Sequence, residues 1–166
     1  MLRIKQRCKE NMEMNEKIVL TADSYDHIDG RNAYQSKIKR LTLGAPLLDE
    51  NRKMAIAVQI WKETPFGQLE MDQELPIHQV LDLMIFLARS LLYFEDAYRL
   101  PLLYDPQKLT VERIGIQGDV MPISICLGNP HLNEDIRQFS QALNDLGEIY
   151  GERLRVLARI LAEMEF

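Results

Sequence analysis

The chain has 166 residues, of which 46% are hydrophobic and 27% charged, and a formal net charge of −5. That is the balance of a folded chain of one-domain size, and it excludes a disordered polyelectrolyte. The negative total, with Lys and Arg scattered along the chain, offers no concentrated positive surface of the kind a nucleic-acid backbone requires.

The first sixteen residues, "MLRIKQRCKENMEMNE", lose their apolar character within a few positions and hold no signal-peptide core. They are expected to form a flexible extension, with a single domain over 17–166. Cys8 in this stretch and Cys126 far along the chain are the two cysteines. They make no C-x-x-C motif and no disulfide framework, which fits a reducing, cytoplasmic setting.

"KIVLT" (17–21) is short, apolar and β-branched, and it predicts a strand. It runs into "ADSYDHIDGRN", where Asp, Ser, Gly and Asn crowd together as in a loop. Asp23, Asp26, His27 and Asp29 are all potential metal ligands, because hard cations take several carboxylate oxygens from one loop. Their spacing is not that of an EF-hand, so a turn held by side-chain-to-backbone hydrogen bonds is the first reading and a metal or catalytic cluster the second. In "AYQSKIKRLTLG", Leu41 and Leu43 alternate as strand residues do, and Lys37, Lys39 and Arg40 form a short basic patch.

"RKMAIAVQIWKE" (52–63) puts Met54, Ile56, Val58 and Ile60 on one face, and "FGQLEMDQEL" answers it with Leu69, Met71 and Leu75. Pro and Gly in the connector "KETPFG" make the pair a β-hairpin. Trp61 lies on the opposite face, is expected at the sheet edge, and would bind a ligand if exposed there.

Pro76 opens a helix expected over 76–98, since its missing N–H has no partner in a first turn. His78, Asp82, Arg89, Tyr93 and Asp96 fall within an arc of about 60° on that helix. Most of the remaining girth is apolar, and a helix so covered touches more than one neighbour. His78 and Asp82, four residues apart, have the spacing of a carboxylate-oriented base. No nucleophile or metal motif of the G-x-S-x-G, H-E-x-x-H or P-loop kind accompanies them. A structural reading, in which Asp82 or Asp96 pairs with Arg89 or Arg99, is therefore favoured. Asp82 and Arg89 also interrupt the run closest to a membrane span, so no spanning segment is expected.

"LTVERIGIQ" and "VMPISICL" predict a second hairpin, turned at Gly118 and Asp119. Cys126 reads there as a small buried hydrophobe. Asn133 is the expected N-cap of a final helix with acids in its first turn. Ile136, Phe139, Leu143, Leu146, Tyr150 and Leu154 begin its apolar spacing, which runs on to Met164, and Gly147 and Gly151 are where it can kink. Arg153 falls in the middle of the apolar arc. In a helix continuous through Gly151 its guanidinium would point inward and need a carboxylate (Asp82, Glu95 or Asp96) or an anionic ligand.

The stretches "ELPIHQVLDL", "LLYFEDAY", "YDP", "IGIQGD" and "GERLRVLARIL" resemble an uncharacterised bacterial family, one of the domains of unknown function. The resemblance covers roughly residues 18 to 166. It implies a bacterial, cytoplasmic, stand-alone domain and brings no activity, substrate or catalytic residue with it.

Hairpin, helix, hairpin, helix implies an α+β fold of two layers, with antiparallel hairpins forming a small sheet packed against two long helices. The favoured function is a non-catalytic binding or assembly module that self-associates as a homodimer. Arg153, Arg89 and Trp61 are its candidate binding residues, and no cofactor or membrane partner is expected. The alternative is a small metal-assisted hydrolase built on the Asp23–Asp29 loop and His78, with Asp82 behind the histidine. A third reading is a nucleic-acid-associated factor using Lys37, Lys39 and Arg40.

Overall fold

A computed structural model describes residues 17–28, 36–47, 56–97, 99–100 and 102–165. Its internal contacts divide the chain into two compact units, Met1–Met84 and Ile85–Phe166.

The first unit holds a four-stranded antiparallel sheet whose strands neighbour one another in chain order: β1 (Ile18–Asp23), β2 (Ile38–Gly44), β3 (Ala57–Glu63) and β4 (Leu69–Pro76). The first hairpin is thus β3 and β4, and two further strands extend it. Each pairing has one irregularity: Val19 in β1, Lys39 in β2 and Asp72 in β4 are extra residues opposite a single step of the neighbouring strand. β1 and β2 also approach very closely at Gly44, where an added Cβ would lie 2.2 Å from the Lys17 carbonyl oxygen.

The sheet buries the face opposite to the one the apolar pattern indicates. Ile56 is 49% exposed and Val58 and Ile60 are half-buried, whereas Ala57, Gln59 and Trp61 are almost wholly covered. A polar chain makes this tolerable. The Trp61 indole N–H donates to Thr42 Oγ1 (2.8 Å), and the Thr42 hydroxyl donates to Gln59 Oε1 (2.7 Å). The Gln59 amide donates to the Ala45 carbonyl (3.3 Å) and to Glu74 Oε2 (3.2 Å), which also accepts the Leu47 N–H (2.7 Å). Among the described residues no buried side-chain polar atom lacks a partner, and satisfied polar groups can be buried where orphaned ones cannot. Trp61 is therefore not at the sheet edge but inside it, on a central strand. Met54, expected on the apolar face, lies outside the described residues.

Helix α1 (Ile77–Ala97) starts directly from β4, one residue from the expected limit at each end. The Ile77 N–H donates to the Ile56 carbonyl (3.0 Å) and ties its first turn to the start of β3. By length and composition α1 is long and apolar enough to cross a membrane, which revises the expectation that no stretch qualifies. Asp82 and Arg89 are the charges in its middle, and it runs across the division between the units.

In the second unit β5 (Thr110–Ile116) and β6 (Asp119–Ser124) form the expected hairpin. Its turn is Gln117–Gly118, both with positive φ (50° and 84°), as a two-residue turn matching the strand twist demands. Asp119 is already paired with Ile116, so the turn sits one residue earlier than the sequence suggests. The final helix is two helices, α2 (Leu132–Asp145) and α3 (Gly147–Glu163), separated at Leu146.

Asn133 is not the N-cap of α2, since His131 holds that position without a side-chain cap bond. Asn129 supports the turn instead, accepting the His131 N–H at Oδ1 (2.8 Å) and donating through Nδ2 to Asp135 Oδ2 (2.7 Å). Glu134 and Asp135 do occupy the first turn, where the helix dipole favours them. Ile136 is buried, and Phe94 meets Phe139 edge-on at 6.0 Å. Cys126 is exposed; it lies beyond the end of β6 at Ser124, where the in-and-out alternation that would have buried it has stopped. The α+β class holds, with antiparallel sheets of four and two strands and helices of 21, 14 and 17 residues.

Candidate functional site

A cleft of the first unit lies at one end of the four-stranded sheet. Its volume is about 390 Å³, and Asp23, Asp26, Lys39, Arg40 and Glu63 supply its charge, with His27 also in its lining. Successive strand residues normally point to opposite faces. The extra residue in β2 breaks that rule at Lys39, as bulges commonly do beside binding sites, and both Lys39 and Arg40 reach the cleft. The acidic side is carried by the end of β1 and the turn that follows. Ser24 takes a positive φ of 57°, and its carbonyl accepts the His27 N–H at 3.0 Å, which folds 25–28 into a single 3₁₀ turn.

The charges are matched. Lys39 Nζ donates to Asp26 Oδ2 at 2.7 Å and lies 3.9 Å from Glu63 Oε2. Arg40 Nε pairs with Asp23 Oδ1. The hydrogen bond from Lys39 holds the Asp26 carboxyl below its ordinary 3.8, against the opposing effect of burial. The same bond raises the Lys39 ammonium above 10.5. A divalent cation entering here would have to displace two cations already bonded to the carboxylates. Among the described residues no group of three or more His, Cys, Asp or Glu is arranged to hold a metal ion. Asp29 lies outside the described residues, and His78 does not line the cleft.

Sequence reasoning separated what the structure joins. The acidic loop and the basic patch are one ion-paired cluster, and Glu63 belongs to it without having been singled out. Only the strand register, with its bulge, brings 23–27 and 39–40 together, and no local motif reports that. Lys37 is exposed and outside the cleft.

The polar residues of α1 do not assemble a catalytic pair. His78 is exposed and Asp82 half-buried, and no hydrogen bond joins them among the described residues. Arg89 pairs with Glu112 of β5, and Asp96 with Arg99 at 2.8 Å, the latter being one of the expected structural pairs. The Tyr93 hydroxyl donates to the Leu103 carbonyl (2.6 Å) and fixes the loop after the helix. Burial, with a smaller effect of Tyr104, raises its pKa above 10.0. A second hollow, about 360 Å³, lies at the start of α2 and includes Tyr104, His131 and Arg137.

Arg153 is exposed, not inward-pointing. Its Nη1 donates to the Ile149 carbonyl one turn back, at 3.0 Å. The helix does run unbroken through Gly151, but the apolar arc that set Arg153 inward also counted Phe139 and Leu146, which precede the break. Among the described residues none of α3 is buried.

One family model matches the chain, described as a family of unknown function (DUF6530), over residues 8–166. The match begins ten residues before the start expected from the sequence resemblance. No curated protein and no solved structure matches.

Proposed function

Because the chain belongs to this family of unknown function, its role has to be read from its own surfaces, and we propose that it is a non-catalytic binding and assembly module that pairs with a second copy of itself. One observation carries the proposal: α3 is apolar over half its girth, yet none of its residues is buried. Ile160 (47%), Leu161 (45%) and Met164 (51%) are among the large side chains left in contact with water. Contiguous apolar surface of that kind marks an interaction site. On α1, Leu83 and Leu87 are likewise more than half exposed.

The hydrolase alternative lacks comparable support. Asp23 and Asp26 are engaged by Arg40 and Lys39, and His78 stands apart from their cleft. The same ion pairs weaken the basic patch as a surface for nucleic acid. Sedimentation velocity from low to high micromolar concentration tests the proposal. A dimer populated within that range is the expected result, and a monomer at every concentration would remove it.

A further inference from the structure

We infer that the cleft at the end of the four-stranded sheet binds a free α-amino acid, with the ligand's carboxylate on Lys39 and Arg40 and its ammonium on Glu63. This concerns a surface other than the helix faces, and it stands whether or not the chain pairs with itself.

The cleft matches a pattern of charge rather than a single charge. Its lining carries three carboxylates, Asp23, Asp26 and Glu63, against two cations, Lys39 and Arg40. A simple anion entering it meets the carboxylates, and a simple cation meets Lys39 and Arg40, so neither sign alone is favoured. A small molecule carrying both signs close together escapes both repulsions. The volume, about 390 Å³, lies low in the range of roughly 300–1,000 Å³ for ligand sites, which suits a ligand of amino-acid size.

The hydrogen bonding of the cleft is incomplete at three of these side chains. Lys39 Nζ donates to Asp26 Oδ2 at 2.7 Å, but Glu63 Oε2 stands 3.9 Å away, beyond hydrogen-bond reach. An ammonium has three donors, so Lys39 keeps two without an acceptor among the described residues. The Glu63 carboxylate accepts no hydrogen bond there. Arg40 pairs with Asp23 through Nε, which leaves both terminal nitrogens of its guanidinium to spare. Neither cation is loose, since the Lys39 and Arg40 side chains are only 31% and 33% exposed.

An α-amino acid bears its ammonium and carboxylate on one carbon, as near to each other as two hydrogen-bonded atoms. Laid across the gap between Lys39 and Glu63, its carboxylate accepts from Lys39 and its ammonium donates to Glu63, which closes a ring of four alternating charges. The spare fork of Arg40 takes the second carboxylate oxygen, the geometry for which a guanidinium is suited. Asp26 acts as a positioning residue, because its bond fixes the Lys39 ammonium before any ligand arrives. Gly67 keeps the wall beside Glu63 clear: an added Cβ would lie 3.7 Å from Glu63 Oε1. Leu69, 41% exposed and also in the lining, offers apolar contact to the ligand's side chain.

The test is an NMR titration of the full-length chain, following backbone amides while the natural L-amino acids are added singly up to about 10 mM, which reveals any Kd below that value. Saturable shifts centred on Ser24, His27, Lys39 and Glu63 are expected with at least one of them. The N-acetyl derivative of the best ligand lacks the ammonium and its carboxamide lacks the carboxylate, so each should bind at least about tenfold more weakly. Glu63→Gln and Arg40→Gln should each lower affinity by a similar factor, the second deciding if the first loses the dispersion of a folded spectrum. Asp72→Asn, at a residue paired with Lys62 outside the cleft, should leave affinity unaltered. Failure of every amino acid to shift the cleft amides overturns the inference. So does a derivative that binds as well as its parent, since an undiminished carboxamide marks a site for simple cations and an undiminished N-acetyl derivative a site for simple anions. Binding that survives both Glu63→Gln and Arg40→Gln places the ligand elsewhere and overturns it equally.

Discussion

Lys39 reaches the acidic loop because β2 carries one more residue at that point than β3 needs. The bond it makes to Asp26 has a pH signature whose direction is fixed. Asp26 is held below 3.8 in the folded chain, so its contribution is complete above the unfolded carboxyl's range and is lost as pH falls through the folded value. Lys39 is raised above 10.5, so its contribution is complete below that value and is lost as pH rises through the folded one. Stability from the pair is flat between these limits. A carboxyl-detected NMR titration should place the Asp26 midpoint below 3.8 and return it toward 3.8 in Lys39→Met; an unchanged midpoint would mean that the bond is absent in solution. At this scale the sequence was legible in residue type and silent on partnership. Asp23, Asp26, Lys39 and Arg40 were all noticed, but as two separate features, because contacts between strands depend on a bulge that leaves no composition signal.

Elements were legible where periodicity was strong. α1 and β5 fall within a residue of expectation, and β3, β4 and β6 are found where expected but three to five residues short at one end, since alternating and helical repeats are local properties whose ends are set by the neighbours. The burial of β3 was not legible. Val58 and Ile60 look like core and Gln59 does not, yet Gln59 is the residue with no exposure at all, because Thr42 and Glu74 of the neighbouring strands satisfy it. Gly44 is a second position where an element depends on its neighbour. Its missing side chain lets the Lys17 carbonyl approach and accept the Ala45 N–H at 3.0 Å. Gly44→Ala would push backbone against backbone, so a loss of about 1–3 kcal/mol is expected, measurable by urea denaturation. The same substitution at Gly128, where an added Cβ meets nothing within 4 Å, should cost less than a third as much. Equal losses at the two positions would show that close approach is not what Gly44 provides.

For the whole molecule, family membership was legible from a few phrases of sequence, while function was not, since no catalytic motif is present and the apolar helix faces do not name what covers them. Charge and exposed apolar surface act against each other here. The chain carries −5 at pH 7 and has a sequence pI of about 5.3, so acidification removes the repulsion that holds copies apart while the apolar faces remain. Static light scattering should rise steadily as the pH is lowered from 7 toward 5.3 and fall again on return. A flat profile would mean that those faces are already covered.

The extra residues in the outer strands have a different consequence. β1 and β4 are the margins of the four-stranded sheet, and each is interrupted, at Val19 and at Asp72. A straight, unbroken margin is a template onto which another chain can zip its backbone, the first step toward a fibril. Bulged margins twist away and present a broken row of N–H and C=O groups. The sheet is thereby guarded against open-ended polymerisation at both sides.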